Sequence, residues 1–271
     1  MNIFYNRRRI SPIPQKLVRH GRVLELAIYY LLRTSDLARE GLENGGSYRF
    51  ADHIYRGLPS GRNVFGCWLD ARLLAMPTVR SFRNRYLTAC SELSAFLQHH
   101  AARQLDILSV PSGIPRELMD AAERFRARGG SLAKVQFHVL DLDFQVLSAA
   151  RQATHERDIA LHLHHGDAFD VSAYGGHFDY ISSTGFGEFL DDAQLLRLLW
   201  IFHDLLRPHG ALFTSAMCRR WFSDYLLRLA DLKVHYRSAV ELATLAARAG
   251  FQSPETWIDE LGIQSFLRAH K

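Results

Sequence analysis

The stretch 105-LDILSVPSGIPRELMDAA-122 decides how the second half of the chain folds. A short apolar run at 107–110 is followed by a turn around Gly113, and an amphipathic stretch begins at Pro115. This order predicts a strand, a tight turn and a helix. Gly113 stands where close approach of a ligand or a positive φ is most expected. The turn therefore either binds a nucleotide or is an ordinary corner between a strand and a helix.

Short apolar runs and longer amphipathic stretches alternate from this turn to the end of the chain. The amphipathic stretches predict helices at 115–127, 144–154, 191–206, 219–230 and 238–249. The apolar runs predict further strands at 135–140, 159–165, 178–183, 211–216, 254–259 and 262–268. Such alternation predicts an α/β fold, with helices on both faces of a mainly parallel sheet. The loops that follow the strands then share one edge of the sheet, where ligands bind.

The first half of the chain has a different pattern. Apolar residues recur at helical spacing over 17–42, and Gly45-Gly46 interrupts the pattern. We therefore expect residues 1–100 to form a helical cap that binds substrate, and residues 101–271 to form the cofactor-binding domain.

A polar, loop-like piece follows within this cap. Residues 50–90 predict mostly loops, and a helix follows with Ser91 or Ser94 as its cap. Polar and aromatic side chains in these loops could contact a substrate or simply meet solvent; they are His53, Tyr55, Arg56 and residues 83–86.

Composition limits the classes of protein that fit. The chain has 271 residues, 48% of them hydrophobic, and a formal charge of +5. Its basic residues are scattered apart from Arg7-Arg8-Arg9, which argues against a nucleic-acid partner. The apolar stretch 23–32 is about half the length of a membrane helix, and no cleavage pattern follows it. Its three cysteines lie far apart, as expected for reduced thiols, so we expect a cytoplasmic protein.

Three consecutive strand ends carry groups suited to one ligand. Asp141 ends the second strand, 28 residues after Gly113, and can accept hydrogen bonds from both hydroxyls of a ribose. Asp167, beside Ala168, follows the third strand and can accept a hydrogen bond from an adenine amine. Asp143 is a weaker candidate, because it also suits a helix N-cap.

Residues 105–271 resemble the class I S-adenosylmethionine-dependent methyltransferases. The likeness continues in FDYISSTGFGEFLDDAQLLRLLWIFHDLLRPHGALFTSA, with its LLRPHG turn, and in YRSAVELATLAARAGF. It implies a Rossmann-like, seven-stranded sheet with an antiparallel last strand, and S-adenosyl-L-methionine as the cofactor. It also implies the cofactor-binding residues: Ser109, Pro111, Ser112 and Gly113 in the first loop, Asp141 at the ribose, Leu142 against adenine, Asp167 and Ala168 at the adenine edge, and Ser183, Thr184 and Gly185 near the sulfonium.

The first loop departs from the pattern of this family. Ser109 replaces its usual acidic residue, so the contact to the cofactor's amino group is either lost or supplied from elsewhere. Pro111 and Pro115 cannot donate backbone hydrogen bonds. Gly113 is the one glycine that remains, and we interpret the turn as a variant cofactor loop.

The methyl acceptor is less well defined by the sequence. Glu188 and Phe189 stand where many small-molecule methyltransferases have a pair of histidines, so no obvious base is present. This favours a carboxylate acceptor, which is already ionised at neutral pH. The cap also resembles methyltransferases that form hydroxy fatty acid methyl esters. Candidates for catalysis or for pairing with a carboxylate are Tyr55, Arg56, Arg85, Glu188 and Arg237.

Several alternatives remain open at this point. The acceptor could instead be a hydroxyl or an amine, or the chain could be a scaffold without catalysis. We expect a small-molecule partner, no nucleic acid and no membrane span, and a homodimer is an open alternative. His162 and His164 share one face of a strand, but neither a carboxylate nor a cysteine completes a metal site.

Overall fold

The computed structural model describes residues 13–43, 48–220 and 233–271. These residues form two compact units: the first contains the described residues up to Arg83 together with Lys233, and the second contains Asn84–Arg220 and Val234–Lys271. The predicted division of the domains at residue 100 stays a prediction. Gly45-Gly46, the Arg7–Arg9 run and most of the helix predicted at 219–230 lie outside the described residues.

Helices make up most of the first part of the chain. They are α1 (Ile13–Arg19), α2 (Val23–Leu32), α3 (Asp36–Glu43), α4 (Tyr48–Arg56), α5 (Val64–Leu74) and α6 (Pro77–His99). The helical pattern over 17–42 thus corresponds to three helices rather than one.

The prediction of loops over 50–90 was wrong. Helices α4, α5 and α6 occupy most of this range, so His53, Tyr55, Arg56 and residues 83–86 lie on helices. Ser91 and Ser94 lie inside α6 and cap nothing. The reason is a buried stripe of residues spaced three or four apart, which outweighs the polar residues between them: Tyr86, Cys90, Leu93 and Leu97.

The second unit is built on a seven-stranded sheet. Its strands are β1 (Leu105–Ser109), β2 (Val135–Asp141), β3 (Leu161–His165), β4 (Phe178–Ser183), β5 (Leu206–Met217), β6 (Gln252–Ile258) and β7 (Gln264–His270). They lie in the order β3-β2-β1-β4-β5-β7-β6. The first five pair in parallel, while β7 runs antiparallel to both of its neighbours. The α/β class and the antiparallel last strand are confirmed.

Helices cover both faces of this sheet, and alternation along the strands builds two apolar cores. The remaining helices are α7 (Arg116–Ala127), α8 (Phe144–His155), α9 (Asp192–Leu205) and α10 (Ala239–Arg248). Ile107 faces a core shared with α6, α7 and α8, whereas the next residue, Leu108, faces a core shared with α9 and α10. Because successive strand residues point to opposite faces, an apolar run such as 105–110 supplies both cores.

Asp70 on α5 is the polar centre of the first unit and is fully buried. Its Oδ1 accepts hydrogen bonds from Ser35 Oγ at 2.6 Å and from the backbone N–H of Leu37 at 2.8 Å. Its Oδ2 lies 2.8 Å from His53 Nε2 and accepts from the backbone N–H of Ser60 at 3.2 Å. Burial raises the pKa of the carboxyl, but these bonds outweigh burial and bring the pKa below its ordinary value.

We expect Asp70→Asn to destabilise the first unit. The amide presents a donor to the groups around Oδ2, and each buried donor left unsatisfied costs about 1–3 kcal/mol. Urea unfolding followed by circular dichroism measures the loss. Glu25→Gln is the control, because Glu25 belongs to an exposed ion pair with Arg22 and should change stability by less than about 1 kcal/mol. Equal stability of the two variants would contradict the role of Asp70.

Three histidines cluster on the sheet. The ring of His138 stacks on that of His162, with centroids 4.7 Å apart, and His138 Nδ1 lies 3.1 Å from His164 Nε2. His138 Nε2 lies 3.1 Å from Asp106 Oδ1. Burial lowers the pKa of both His138 and His164. Within the described ranges, no group of His, Cys, Asp and Glu side chains could hold a metal ion.

This cluster should make the protein less stable in mild acid. A histidine whose pKa is lower in the folded than in the unfolded chain contributes its full stability above the unfolded value, about 6.5, and loses it as the pH falls below that value. The free energy of unfolding should therefore fall between about pH 7.5 and 5.5. His138→Gln should reduce this fall, whereas His155→Gln, at an exposed position, should leave it unchanged. An identical pH profile for wild type and His138→Gln would rule the explanation out.

Candidate active site

The loop after β1 is held by backbone hydrogen bonds to both neighbouring strands. Val110 N–H donates to Ser182 O at 2.9 Å, and Ser112 N–H donates to Leu140 O at 3.0 Å. Gly113 has a φ of +52°, a conformation that residues with a Cβ rarely adopt. The predicted need for glycine at this position is thus met, and the loop has a fixed position between β2 and β4.

Asp141, at the end of β2, connects directly to this loop. Its Oδ2 accepts a hydrogen bond from the N–H of Gly113 at 3.0 Å, and its Oδ1 accepts one from the N–H of Asp143 at 3.0 Å. Burial raises the pKa of the Asp141 carboxyl, and the two backbone donors oppose that rise. Each carboxylate oxygen has a second lone pair, so the group can still accept bonds from a sugar. Asp143 itself caps α8 by accepting from the N–H of Gln145.

The ends of β2 and β3 are joined as well, because Gly166 N–H donates to Asp141 O at 3.2 Å. Asp167 is exposed and its Oδ1 accepts from the N–H of Phe169, while Ala168 is buried. Leu142 is 47% exposed. These positions suit an exposed carboxylate beside an apolar surface, as the sequence predicts for adenine.

Phe144 is a candidate that the sequence reasoning missed. Its side chain is 66% exposed, and its ring lies 6.0 Å from that of His165. An exposed aromatic residue immediately after the Asp143 cap is the sequence signal that could have indicated it. Together with Leu142, it gives the end of β2 two apolar side chains that a flat base could contact.

Residues after β4 form the other side of the site. Ser183 is buried and its carbonyl accepts from Thr214 Oγ1 at 2.6 Å. Thr184 and Gly185 are partly exposed, and Gly185 has a φ of +77°. A Cβ at Gly185 would lie 2.7 Å from Arg85 Nη2. The guanidinium of Arg85 therefore packs directly against the backbone at the end of β4.

Two buried carboxyl groups lie beside these strand ends. Arg85 Nη1 donates to Glu188 Oε1 at 2.8 Å, and both side chains are nearly fully buried. At the end of β1, Ser109 Oγ donates to Glu117 Oε1 at 2.7 Å. Burial raises the pKa of Glu117. Sequence reasoning missed Glu117, although its place in the first turn of the helix after the loop was a usable signal.

The other two arginines that were candidates for binding an acceptor carboxylate, Arg237 and Arg56, already have partners. Arg237 is 2% exposed, and it bonds to Asp192 Oδ1 and to two backbone carbonyls, those of Gly187 and Leu190. In the first unit, Arg56 on α4 pairs with Asp52 at 2.9 Å, and Tyr55 lies on the same helix. Arg237 thus ties α10 to the turn after β4.

A cavity of about 810 Å³ opens in the second unit next to this turn. Arg219, which is exposed, lies in its wall. His235 N–H donates to Glu188 O at 2.6 Å, so the cavity wall is continuous with the turn that holds Glu188. The described lining residues are Asp191, Asp192, Cys218, Arg219, Val234, His235, Tyr236, Arg237, Ser238 and Glu241.

Comparisons with known proteins agree with this geometry. The family model described as a methyltransferase domain matches residues 118–210. No curated protein matches the chain.

Solved structures share the fold at low sequence identity. A possible exported protein from Bordetella parapertussis has a TM-score of 0.76 at 20% identity, covering 97% of each chain. Magnesium protoporphyrin IX methyltransferase from Synechocystis PCC 6803, with bound SAH, has a TM-score of 0.56 at 12% identity, covering 81% of this chain and 93% of its own. The CurJ carbon methyltransferase has a TM-score of 0.57 at 13% identity, covering 96% and 70%.

Residues 118–210 match a methyltransferase domain. The strand order and the linked strand ends agree with the class I fold that the sequence predicts, and S-adenosylmethionine is the cofactor expected for such a domain. The residues present fit that cofactor, because a carboxylate with spare lone pairs, a glycine turn and exposed apolar side chains meet at neighbouring strand ends. None of the helices in the described ranges has the length and apolar character needed to cross a bilayer.

We expect Asp141→Ala to weaken binding of S-adenosylhomocysteine strongly. Hydrogen bonds to a charged group contribute about 1.5–3 kcal/mol each, so the loss of two corresponds to on the order of a hundredfold or more in Kd. Calorimetric titration measures this change. Asp143→Asn is the control, because asparagine caps a helix as well as aspartate does, and its affinity should stay near that of wild type. Unchanged binding by Asp141→Ala would remove residue 141 from the site.

Proposed function

We propose that this enzyme transfers a methyl group to the carboxylate of a small molecule and so forms a methyl ester. The observation that carries the proposal is the cavity beside the ends of β4 and β5, with the exposed Arg219 in its wall. Its volume falls in the range of roughly 300–1,000 Å³ that is usual for small-molecule sites. An arginine guanidinium matches a carboxylate in both geometry and charge.

Methyl transfer to a carboxylate requires little of the protein beyond alignment of the carboxylate with the methyl group. When bound, the cofactor supplies an electrophilic methyl group on a sulfonium. A carboxylate is already ionised at neutral pH, so the protein needs no general base. In our proposal Asp141 and the first loop orient the adenosyl group, and Arg219 holds one carboxylate oxygen so that the other points to the methyl. Alignment of this kind can supply about 7–11 kcal/mol.

A second candidate is methylation of a hydroxyl or an amine. One observation favours it: Glu188 Oε2 is buried and has no hydrogen-bond partner among the residues that the structure describes. In that reaction Glu188 would accept the proton of the acceptor. The scaffold alternative is disfavoured, because a glycine turn and a carboxylate suited to the cofactor are both present at the strand ends.

The proposal extends to an acceptor whose carboxylate is attached to an acyl chain. The resemblance of the first part of the chain to enzymes that form hydroxy fatty acid methyl esters is what suggests such an acceptor. A cytoplasmic location and a homodimer stay predictions.

The bond that forms can be identified by its sensitivity to alkali. Carboxylic acids of increasing chain length are incubated with the enzyme and methyl-labelled S-adenosylmethionine, and the products are then treated with base. We expect the label to be released as methanol, because esters hydrolyse under these conditions whereas methyl ethers and methylamines do not. Label that resists base would overturn carboxylate methylation and favour the second candidate.

Arg219→Gln tests the cation with the same assay. We expect kcat/KM to fall about fivefold, mainly through kcat, because an exposed ion pair adds only about 0–1 kcal/mol to binding and Arg219 chiefly orients the carboxylate toward the methyl. Arg151→Gln is the matched control, because Arg151 is an exposed arginine on α8 outside the cavity lining. Equal kinetics of the two variants would show that Arg219 does not hold the acceptor.

A further inference from the structure

We propose that Glu117 and Glu188, with Arg85 between them, form the site that receives the amino-acid end of the cofactor. We call these three residues the charged cluster. Its two carboxyl groups take the ammonium, and the guanidinium charge attracts the carboxylate. The inference rests on the cofactor assignment above; it adds Glu117, which the sequence pattern did not indicate, and gives Arg85 and Glu188 a role in cofactor binding.

The position of the charged cluster follows from the order of the strands. Ser109, at the end of β1, is the register partner of Ser182 near the end of β4, so these two strand ends are adjacent. Glu117 is bonded to Ser109, and the Arg85 guanidinium packs against Gly185 just beyond β4. The cluster therefore lies at the ends of β1 and β4, whereas Asp141 lies at the end of β2 on the far side of β1.

The covalent order of the cofactor matches this arrangement. Adenine, ribose, sulfur and amino acid follow one another along the molecule. If the ribose is held at Asp141 and adenine faces the end of β3, the amino-acid end extends toward β1 and β4. The strand order β3-β2-β1-β4 thus places the cluster at the end of the cofactor opposite adenine.

Charge complementarity supports the assignment. The amino-acid end carries an ammonium and a carboxylate, and the neighbouring sulfonium adds a second positive charge, so this half of the cofactor is net positive. The cluster holds two carboxyl groups and one guanidinium, which is net negative when both carboxyls are ionised. Arg85 lies close enough to Glu117 to act on its ionisation. Buried charges need partners, and opposite charges on a ligand can supply them.

An unused buried acceptor lies in the charged cluster. Glu188 uses Oε1 for Arg85, but its Oε2 is buried without a hydrogen-bond partner in the described part of the chain. Leaving such an atom unsatisfied is unfavourable, so it marks a place where a donor is expected. An ammonium provides three N–H donors, enough to reach more than one carboxylate.

Ser109 also becomes understandable in this arrangement. It stands where an acidic residue is common in the family, and its short side chain donates to Glu117 Oε1 at 2.7 Å. The carboxylate is therefore contributed from the first turn of α7 instead of from the end of β1. A purely structural role, in which the cluster only fastens α6 and α7 to the sheet, is the competing explanation.

Two ligands separate these explanations. S-Adenosylhomocysteine carries the amino-acid end, whereas 5′-methylthioadenosine has the same adenosine and a thioether but no amino acid. Calorimetric titration of the full chain gives the Kd of each. We expect Glu117→Gln, Glu188→Gln and Arg85→Met each to weaken S-adenosylhomocysteine about tenfold or more and to change methylthioadenosine less than about twofold.

Two control variants are titrated with the same two ligands. Glu123→Gln makes the same substitution on α7 at a half-exposed position and should leave both affinities unchanged. Asp141→Ala should weaken both ligands, because both contain the ribose. If Arg85→Met fails to fold, as judged by its thermal transition, the two isosteric glutamine variants decide the result.

Variants of the charged cluster that weaken both ligands equally, or neither, would overturn the inference and leave the cluster a structural role. A Glu188→Gln variant that binds normally but loses turnover would also overturn the role of Glu188 in cofactor binding and would favour the role of a base. Failure of the wild-type protein to bind either ligand is a different result: it would remove the cofactor assignment itself, and this inference with it.

Discussion

The hydrogen bond from the Gly113 N–H to the Asp141 carboxylate joins the ends of the first two strands, and the site depends on it. Pro111 and Pro115 have no N–H to donate, so this loop has few backbone donors with which to fix its shape. Gly113 supplies one of them: its N–H donates to Asp141 Oδ2, and its positive φ is a conformation that glycine adopts without strain. A loop with one glycine is therefore hydrogen-bonded to both neighbouring strands. The carboxylate fixes the loop and still has lone pairs that could accept hydrogen bonds from a ribose.

A loop fixed before the ligand arrives costs less to order on binding. Bonds from Val110 to β4 and from Ser112 to β2 add to this effect, since both neighbours of β1 then hold the loop. The flexible alternative would lose conformational entropy each time the cofactor bound.

Local patterns in the sequence were enough to predict a mainly parallel sheet and its strand ends, because alternation and caps act between residues close in the chain. The seven strands and the antiparallel last strand followed only from the family resemblance. Asp141 and Gly113 are 28 residues apart, but one helix and one strand account for that separation. Arg85 and Glu188 are 103 residues apart, and no local pattern relates a helix of the first half to a turn after β4. The first half of helix α6 was missed for another reason: its buried residues alternate with enough arginine and asparagine to resemble a loop.

The choice of a cation for the acceptor follows from what each arginine already binds. Arg237 could turn to a substrate carboxylate only by leaving two buried carbonyls unpaired, at about 1–3 kcal/mol each. Arg219 is exposed and carries no such cost, but an exposed ion pair contributes only about 0–1 kcal/mol. Arg219 would then orient the acceptor more than bind it, and the affinity must come from apolar surface, at about 0.8 kcal/mol per buried methylene. A carboxylate attached to a sizeable apolar body satisfies both conditions, whereas a small polar acid satisfies only the first.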